Sequence, residues 1–429
     1  MPYLVHSPAD RREMLSALGA DSMEALLVDI PAQLRLADLD LAAGLSEMET
    51  MAEIRRLAAR NRIYDDRLCF RGGGVYHRFI PAAVAAVTSK PEFYTAYTPY
   101  QPEASQGTLQ AIFEFQTLIA ELTAMEVSNA SLYDGATAVA EAAMMAVVHT
   151  DRHEVLVAPY LHPEYLDVLR CYAGGRGFKV REGDSPGPET AAIIFQQPNF
   201  LGLLEDARGL TERAHGAGAL AIACVDPISL ALLAPPGEYD ADIAVGEGQQ
   251  LGLAPSYGGP HLGFIACRKE LTRRLPGRLV GEAHDNRGRR GFVLTLTARE
   301  QHIRREKATS NICTNHSLCA LAASVYLTYM GPDGLRQVAD VSFQRAHWLA
   351  EALAGLPDVE AAFPEQPFLN EFPVRVKNVL QTLGKLEDAG ILGGLPAGRW
   401  YPDLDDVIVF CCTELNDARA LQQLVEALR

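Results

Sequence analysis

The chain has 429 residues, a formal net charge of −16 and a hydrophobic fraction of 48%. This composition is ordinary for a globular protein with a large core, and the acidic balance argues against nucleic acid or an anionic membrane as a partner, because both require a basic surface. The N-terminal residues lack the pattern of a signal peptide, and the most apolar stretches are too short or too interrupted to span a bilayer. Eight cysteines without a CxxC pair predict reduced thiols, so we expect a cytoplasmic protein.

The first 60 residues are predicted to form a helical N-terminal arm. Ser7 and Pro8 provide an N-cap and a proline at the first helical position. Ser46 and Glu49 have the spacing of a capping box, which starts a second helix. An arm of this kind more often wraps a partner or its own large domain than binds a ligand.

An alternation of short apolar runs and helical segments follows, which predicts βα units on a mostly parallel sheet. The predicted strands cover residues 154–158, 178–181, 191–195, 220–225, 242–245 and 261–267, and the predicted helices include 163–173 and 204–215. We therefore expect a large α/β domain over residues 61–330. A hairpin that turns at residues 285–288 is expected within it. From residue 331 onward, a long helix and two further strands predict a small C-terminal α/β domain over residues 331–429.

Two acidic residues of the large domain lie where a cofactor could bind. Asp134 begins a buried helix whose first amides, near Gly135 and Thr137, could hold a phosphate. Its carboxylate can instead cap the helix and would repel a phosphate dianion, and we favour the cap. Asp226 ends a strand at a position where a carboxylate could pair with a pyridinium nitrogen. A cap for the segment after Pro227 is again the favoured alternative.

A tyrosine-rich run contains Tyr94, Tyr97 and Tyr100, while Pro99 and Pro102 forbid a regular helix across it. The tyrosines are therefore predicted to lie on an extended loop. They either pack at an interface or place a hydroxyl group against a ligand.

Positive charge is concentrated at residues 299–307. This run includes Arg304 and leads through Asn311 and Asn315 into an apolar helix. A basic run of this kind indicates either a solvated helix face or an inter-subunit contact. Ser105 is expected to cap an earlier helix, which starts just after the tyrosine-rich run.

Several well-known catalytic motifs are absent from the sequence. It contains no nucleophile elbow, no P-loop and no dinucleotide-binding fingerprint. His149 and His153 are four residues apart but have no evident third ligand, so no metal site is predicted. Nothing in the chain supplies a complete catalytic constellation alone.

Six motifs occur in order along the chain: Asp29-Ile-Pro31, Tyr97 through Gly107, Tyr133 through Thr137, Tyr257 through Gly263, Leu275 through Glu282 and Arg299 through Asn315. Together they resemble the N-terminal subunit of two-subunit glycine decarboxylase, the P-protein of the glycine cleavage system. That family is similar to pyridoxal-phosphate enzymes of the aspartate-aminotransferase type (fold type I). The resemblance therefore implies this fold, with a degenerate pyridoxal-phosphate site in the large domain.

The degenerate site is expected in the Gly-rich stretch at residues 241–264. Similar pyridoxal-phosphate enzymes carry their lysine here in a His-Lys pair, whereas this chain has Gln249 and Gln250. No lysine occurs between Lys179 and Lys269. An amide is not a nucleophile, so the amine that would hold the cofactor is missing. In the family, a second homologous subunit carries that lysine, and Gln250 agrees with the pattern of the first subunit.

The resemblance implies a heterotetramer of two such chains and two catalytic partners. Pyridoxal phosphate is held by the partner, and no covalent cofactor is expected in this chain. The assembly would decarboxylate glycine and pass the aminomethyl group to the lipoyl arm of the H-protein. The side chains expected to reach the partner's active site are Tyr94, Tyr97, Tyr100, Arg304, Asn311 and Asn315.

Two alternatives remain. The chain could be a non-catalytic scaffold or regulatory subunit, or it could be an independent pyridoxal-phosphate enzyme that uses Lys269 or Lys307. The second alternative is the weaker, because neither lysine has the desolvated setting that lowers the pKa of an amine.

Overall fold

The computed structural model describes residues 5–36, 40–61, 63 and 68–429. The chain forms two compact units, residues 1–62 and residues 63–429. In the first unit, helix α1 spans Pro8–Ala17 and helix α2 spans Glu47–Ala58. Both helices begin with a capping box, in which the serine at the N-cap and an acidic side chain three residues later bond each other's backbone N–H groups. The predicted helix starts at Ser7 and Ser46 are therefore confirmed.

The second unit contains the remaining helices and all described strands. Its helices are α3 Ala82–Thr88, α4 Pro91–Tyr94, α5 Gln106–Thr123, α6 Gly135–Thr150, α7 Pro163–Arg176, α8 Ala207–Gly216, α9 Gln301–Arg304, α10 Ser317–Ala354, α11 Val379–Asp388 and α12 Ala418–Leu428. Its strands are β1 Leu68–Cys69, β2 Val127–Ser128, β3 Glu154–Val157, β4 Lys179–Glu182, β5 Thr190–Gln197, β6 Leu220–Val225, β7 Ile243–Glu247, β8 Gly263–Cys267, β9 Leu279–His284, β10 Arg290–Thr295, β11 Val359–Ala361, β12 Glu371–Val376, β13 Ile391–Leu392, β14 Leu395–Pro396 and β15 Val407–Cys411.

A seven-stranded sheet with the order β2-β8-β7-β6-β5-β3-β4 forms the centre of this unit. The five strands from β7 to β4 are parallel, whereas β8 runs antiparallel to both of its neighbours. Strands β6 and β7 are buried along their whole length, as expected where helices cover both faces of a parallel sheet. One face packs against α5, α8 and α10, and the other against α6 and α7. The predicted α/β fold with a mostly parallel sheet is confirmed.

The C-terminal part contains a separate antiparallel sheet with the order β11-β12-β15-β14. Helix α10 runs from the large sheet toward it, and Gly331 interrupts the helical backbone with φ 61° and ψ −176°. Glycine adopts this conformation without the steric cost that other residues carry. The break lies at the predicted boundary between a large and a small domain, and that division stays a prediction.

The structure bears on two local predictions, the hairpin near residue 285 and the cap at Ser105. The hairpin is confirmed, because β9 and β10 pair antiparallel around residues 285–289. The expected side-chain cap at Ser105 is wrong: its backbone lies at φ −125° and ψ 26°, outside the extended region of an N-cap, and its hydroxyl group makes no capping bond to α5. Among the described residues, no helix is long and apolar enough to cross a membrane.

Candidate functional site

The candidate site lies where two neighbouring parallel strands end beside the start of a helix. Strand β6 is followed by Asp226, β7 ends at Glu247, and Gln250 comes three residues later. Parallel neighbours have their carboxyl ends at the same edge of the sheet, and ligands of α/β proteins bind at that edge. Helix α6 begins there with Gly135. We call the group formed by Gln250, Asp226, Glu247, Tyr165 and His162 the closed site.

Gln250 is fixed in a buried polar network. Its Oε1 accepts a hydrogen bond of 2.7 Å from Nε of Arg78. The same guanidinium donates through Nη1 to Glu414 at 2.7 Å and to Ser342 at 3.1 Å. Gln250 and Arg78 are both buried. The amide therefore accepts a bond from a buried cation, and this position provides no amine to bind an aldehyde.

The first amides of α6 already have acceptors within the chain. Asp134 is the N-cap residue, and its Oδ1 accepts the Thr137 N–H at 2.7 Å. The Gly135 N–H donates to Oε2 of Glu247 at 2.9 Å. The favoured interpretation of Asp134 as a helix cap is confirmed. The carboxylates of Asp134 and Glu247, rather than a ligand, accept the hydrogen bonds of these first amides of α6.

The Asp226 carboxylate also accepts hydrogen bonds from neighbouring residues of the chain. Its Oδ1 accepts the backbone N–H groups of Ile228 at 2.7 Å and Ser229 at 3.1 Å. This is the favoured interpretation, in which the carboxylate caps the short turn after β6.

The space above these groups is filled by aromatic side chains. The rings of His162 and Tyr165 stack with centroids 4.4 Å apart and an interplanar angle of 13°. A Cβ atom built on Gly135 would lie 2.6 Å from the Tyr165 hydroxyl oxygen, so the phenol lies directly against the helix start. Burial is the main cause that raises the pKa of Tyr165 well above its ordinary value, with the nearby carboxylate of Glu247 adding to the effect. The tyrosine is therefore a neutral wall of the site.

A cofactor of the size of pyridoxal phosphate does not fit what remains. The cavity has a volume of about 30 Å³. Small-molecule pockets usually measure about 300–1,000 Å³, whereas about 10–15 Å³ of such space is enough to hold one water molecule. The small volume and the two carboxylates at the start of α6 therefore both oppose the binding of a phosphate-bearing cofactor.

A buried carboxyl group with a raised pKa, that of Glu371, lies at the rim of this cavity. Burial raises the pKa of Glu371 to about 7, although the bonds from Tyr76 and Gly73 act in the opposite direction. Oε2 accepts the Tyr76 hydroxyl at 2.7 Å, and Oε1 accepts the Gly73 N–H at 2.7 Å. Because Glu371 begins β12 of the C-terminal sheet, these bonds join that sheet to the loop that precedes α3.

The tyrosines predicted to reach a partner are exposed in this chain. Tyr97 has 86% of its surface exposed, and Tyr94 and Tyr100 are exposed as well. Tyr97 and Tyr100 lie on a loop, as expected, but Tyr94 is the last residue of the one-turn helix α4. The loop expectation is therefore wrong for Tyr94, because the restricting prolines follow it. We call residues 95–102, which follow α4, the tyrosine loop.

The three candidates after the tyrosine loop differ in their surroundings. Arg304, at the end of α9, and Asn311 are exposed. Asn315 is buried and donates to the Ala130 carbonyl at 2.9 Å, while its Oδ1 accepts a bond of 3.0 Å from Arg278. Asn315 thus holds Arg278, whose guanidinium lies 5.9 Å from the ring centroid of Tyr100. Of the three candidates, Arg304 and Asn311 present their side chains to solvent and Asn315 does not.

Sequence patterns did not indicate Glu247, Tyr165 or His162 as members of the closed site, nor Tyr257 as an exposed candidate. Glu247 is a carboxylate at a strand end, a signal that was available beside Gln249 and Gln250. Tyr165 had no comparable signal, because a tyrosine in the first turn of a helix is unremarkable. Tyr257 is 82% exposed and has a positive φ of 56° in the Gly-rich crossing between β7 and β8. A non-glycine residue with this backbone conformation at an exposed tip is a candidate for a contact.

Comparison with known proteins agrees with this geometry. The family model described as "Glycine cleavage system P-protein" matches residues 1–428. Relatives called probable glycine dehydrogenase (decarboxylating) subunit 1 are 47% identical in Desulforamulus reducens and 48% identical in Carboxydothermus hydrogenoformans, each over 100% of this chain and 99% of the relative.

Comparison with solved structures shows the same family relationship. The chain is similar to a crystal structure of glycine decarboxylase (P-protein) of the glycine cleavage system in inhibitor-bound form, with a TM-score of 0.91, 46% identity, and coverage of 100% of this chain and 99% of that one. A cysteine desulfurase from Escherichia coli has a TM-score of 0.60 at 16% identity, over 85% of this chain and 94% of that one, and shows the fold alone. The predicted fold, that of pyridoxal-phosphate enzymes of fold type I, is confirmed, as is the family resemblance.

Proposed function

Because the chain belongs to the glycine cleavage system P-protein family, we propose that it is the subunit of glycine decarboxylase that lacks the cofactor lysine. With a homologous second subunit it supports the pyridoxal-phosphate-dependent decarboxylation of glycine and the transfer of the aminomethyl group to the lipoyl arm of the H-protein. The observation that carries the proposal is the buried Gln250 amide, which bonds to Arg78 where enzymes of this fold need an amine.

The assembly is proposed to be a heterotetramer of two such chains and two catalytic subunits. Relatives are called subunit 1, so a second subunit exists in this family. Pyridoxal phosphate belongs to that second subunit in our proposal, and the filled cavity of about 30 Å³ in this chain supports the assignment. All eight cysteines are free thiols, which agrees with a cytoplasmic enzyme.

This chain's own contribution is proposed to come from its exposed polar side chains. Tyr97 and Tyr100 offer hydroxyl groups, Arg304 offers a cation, and Asn311 offers an amide, all without burial in this chain. Asn315 acts through Arg278, which it holds beneath the ring of Tyr100. Glycine carries a carboxylate, and donors of this kind orient an anionic substrate and exclude water at a shared site.

The test is glycine–bicarbonate exchange by the reconstituted two-subunit enzyme. We expect Tyr97→Phe and Arg304→Ala to leave the assembly intact and to lower the exchange rate on the order of tenfold to a thousandfold, as for loss of a transition-state contact. Matched controls are Tyr329→Phe and Arg336→Ala, which alter an exposed tyrosine and an exposed arginine on α10. If both test variants assemble and exchange at the parental rate, these side chains do not contribute to the reaction.

A scaffold or regulatory role is the second candidate function. The closed site favours it, because a chain with a filled cavity can stabilise a partner without touching its substrate. Kinetics of the catalytic subunit with and without this chain separate the two. A pure scaffold extends the lifetime of the partner and leaves its kcat unchanged, whereas a contributing subunit raises kcat.

An independent pyridoxal-phosphate enzyme is the least supported function. Lys269 and Lys307, the two lysines considered for it, are both exposed, so neither has the desolvated setting that a Schiff-base lysine needs.

A further inference from the structure

Glu247 receives an unusual set of hydrogen bonds for a carboxylate at a strand end. Its Oε2 accepts the Gly135 N–H at 2.9 Å, and its Oε1 accepts the N–H groups of Gln249 and Leu262, each at 2.9 Å. His261 adds an imidazole nitrogen 3.4 Å from Oε2. Only 9% of Glu247 is exposed.

The donors come from three separate parts of the chain. Gly135 is the first residue of α6, and the other two amides lie near the start and the end of residues 248–262, which we call the crossing segment. Convergent backbone N–H groups at the start of a long helix form an anion-binding site, because the helix dipole and the unpaired donors both favour negative charge. In this chain the carboxylate of Glu247 takes the place of such an anion.

The remaining volume is closed by the chain's own aromatic groups. A Cβ atom on Gly135 would lie 2.6 Å from the hydroxyl oxygen of Tyr165 and 3.0 Å from Cβ of Glu247. A Cβ atom on Gly74 would lie 3.0 Å from the ring of His162. The small residues at this edge therefore give room to internal side chains and leave none for a ligand.

We propose that Glu247 is a built-in substitute for the phosphate of a bound cofactor. Its carboxylate satisfies the anion site at the start of α6 and ties both ends of the crossing segment to that helix. The site is thereby complete without a ligand, and it excludes an added phosphate by occupancy and by charge. This inference is independent of the proposed role in glycine decarboxylation.

The experiment removes the internal anion and supplies an external one. In the full chain, Glu247→Ala leaves three amides without an acceptor, and we expect Tm to fall by about 5–10 °C. Inorganic phosphate should then raise the Tm of this variant in a saturable way, because an anion that binds only the folded chain stabilises it. Sodium chloride at matched ionic strength should not do so, and the parent chain should not respond to phosphate beyond the salt effect.

Two further variants make the result specific. Glu247→Gln fills the same volume without the charge, so it should lower Tm but show no saturable response to phosphate. Glu141→Ala removes another buried carboxylate, one on α6 that receives no converging amides, and it should show no response to phosphate either. If Glu247→Ala does not fold, the readout is its refolding yield in phosphate against that in chloride.

The inference is overturned if Glu247→Ala is as stable as the parent. It is also overturned if phosphate raises neither the Tm nor the refolding yield of Glu247→Ala beyond the chloride control. A saturable response of Glu247→Gln or Glu141→Ala of the same size would likewise contradict it, because the phosphate would then act elsewhere on the chain.

Discussion

Polar groups of the closed site are hydrogen-bonded within the chain, whereas those of the tyrosine loop are exposed to solvent. In the closed site, Gln250, Asp226 and Glu247 each have partners at hydrogen-bonding distance within the same chain. On the tyrosine loop, Tyr97 extends its hydroxyl group into solvent. The difference indicates that the polar groups of the closed site contribute to stability, while groups that could act on another molecule lie on the surface. We therefore expect substitutions in the closed site to lower stability and substitutions on the tyrosine loop to lower activity.

The largest loss of stability is expected at Arg78. Arg78→Met would leave Glu414 in a mostly buried setting without its cation, and removal of one partner of a buried pair typically costs about 3–5 kcal/mol. Denaturant unfolding measures the change. The control is Arg375→Met, because Arg375 pairs with Asp406 at the surface, where loss of an ion pair costs about 1 kcal/mol or less. Equal losses in the two variants would contradict a buried network at the closed site.

A pH dependence is expected from Glu371. Its pKa rises to about 7 in the folded chain from an ordinary value of 4.5, so the folded chain keeps a proton that the unfolded chain has lost between these pH values. The free energy of unfolding contributed by this group therefore falls as pH rises from about 4.5 to about 7, by on the order of 3 kcal/mol. Glu371→Gln should remove that slope.

Glu141 gives an internal comparison for this measurement, since burial also raises its pKa to about 7. Glu141→Gln should remove a second slope of the same sign, and the double variant should remove both. A parental slope in Glu371→Gln would show that folding does not raise the pKa of the Glu371 carboxyl group.

A loss of stability is also expected when the missing amine is restored. Gln250→Lys removes the acceptor of Arg78 Nε and places a second cation beside that buried guanidinium, which should cost at least roughly 2 kcal/mol. The variant should release no CO2 from glycine without the second subunit, because Glu247 and Tyr165 still fill the site. Gln110→Lys, which adds a lysine on the surface of α5, is the control. Appreciable CO2 release by Gln250→Lys alone would show that the site is not closed.

The smallest change in stability is expected on the tyrosine loop. Tyr97→Phe removes an exposed hydroxyl group and should alter the free energy of unfolding by less than about 0.5 kcal/mol. Combined with the expected loss of exchange activity, this result would sharpen the contrast with Arg78. A large loss of stability without loss of activity would instead assign Tyr97 to packing.

Local patterns predicted much of the fold, because strand ends and caps depend on neighbouring residues. The βα alternation from Glu154 to Cys267 is present, and Asp134 and Asp226 are caps, as favoured. Patterns could not predict the contacts that close the site. Gly135 and Glu247 are 112 residues apart, and Arg78 and Gln250 are 172 apart, so their contacts arise only when the chain folds. Nor could they predict that Asn315 is buried beneath the surface on which Arg304 and Asn311 lie.

The central claim, that this chain holds no cofactor lysine, has one direct test. Borohydride reduction of the co-expressed two-subunit enzyme fixes pyridoxal phosphate on the lysine that holds it, and peptide mapping locates the label. We expect the label on the second subunit alone and none on the six lysines of this chain. A pyridoxyl-lysine at stoichiometric yield within this chain would contradict the account.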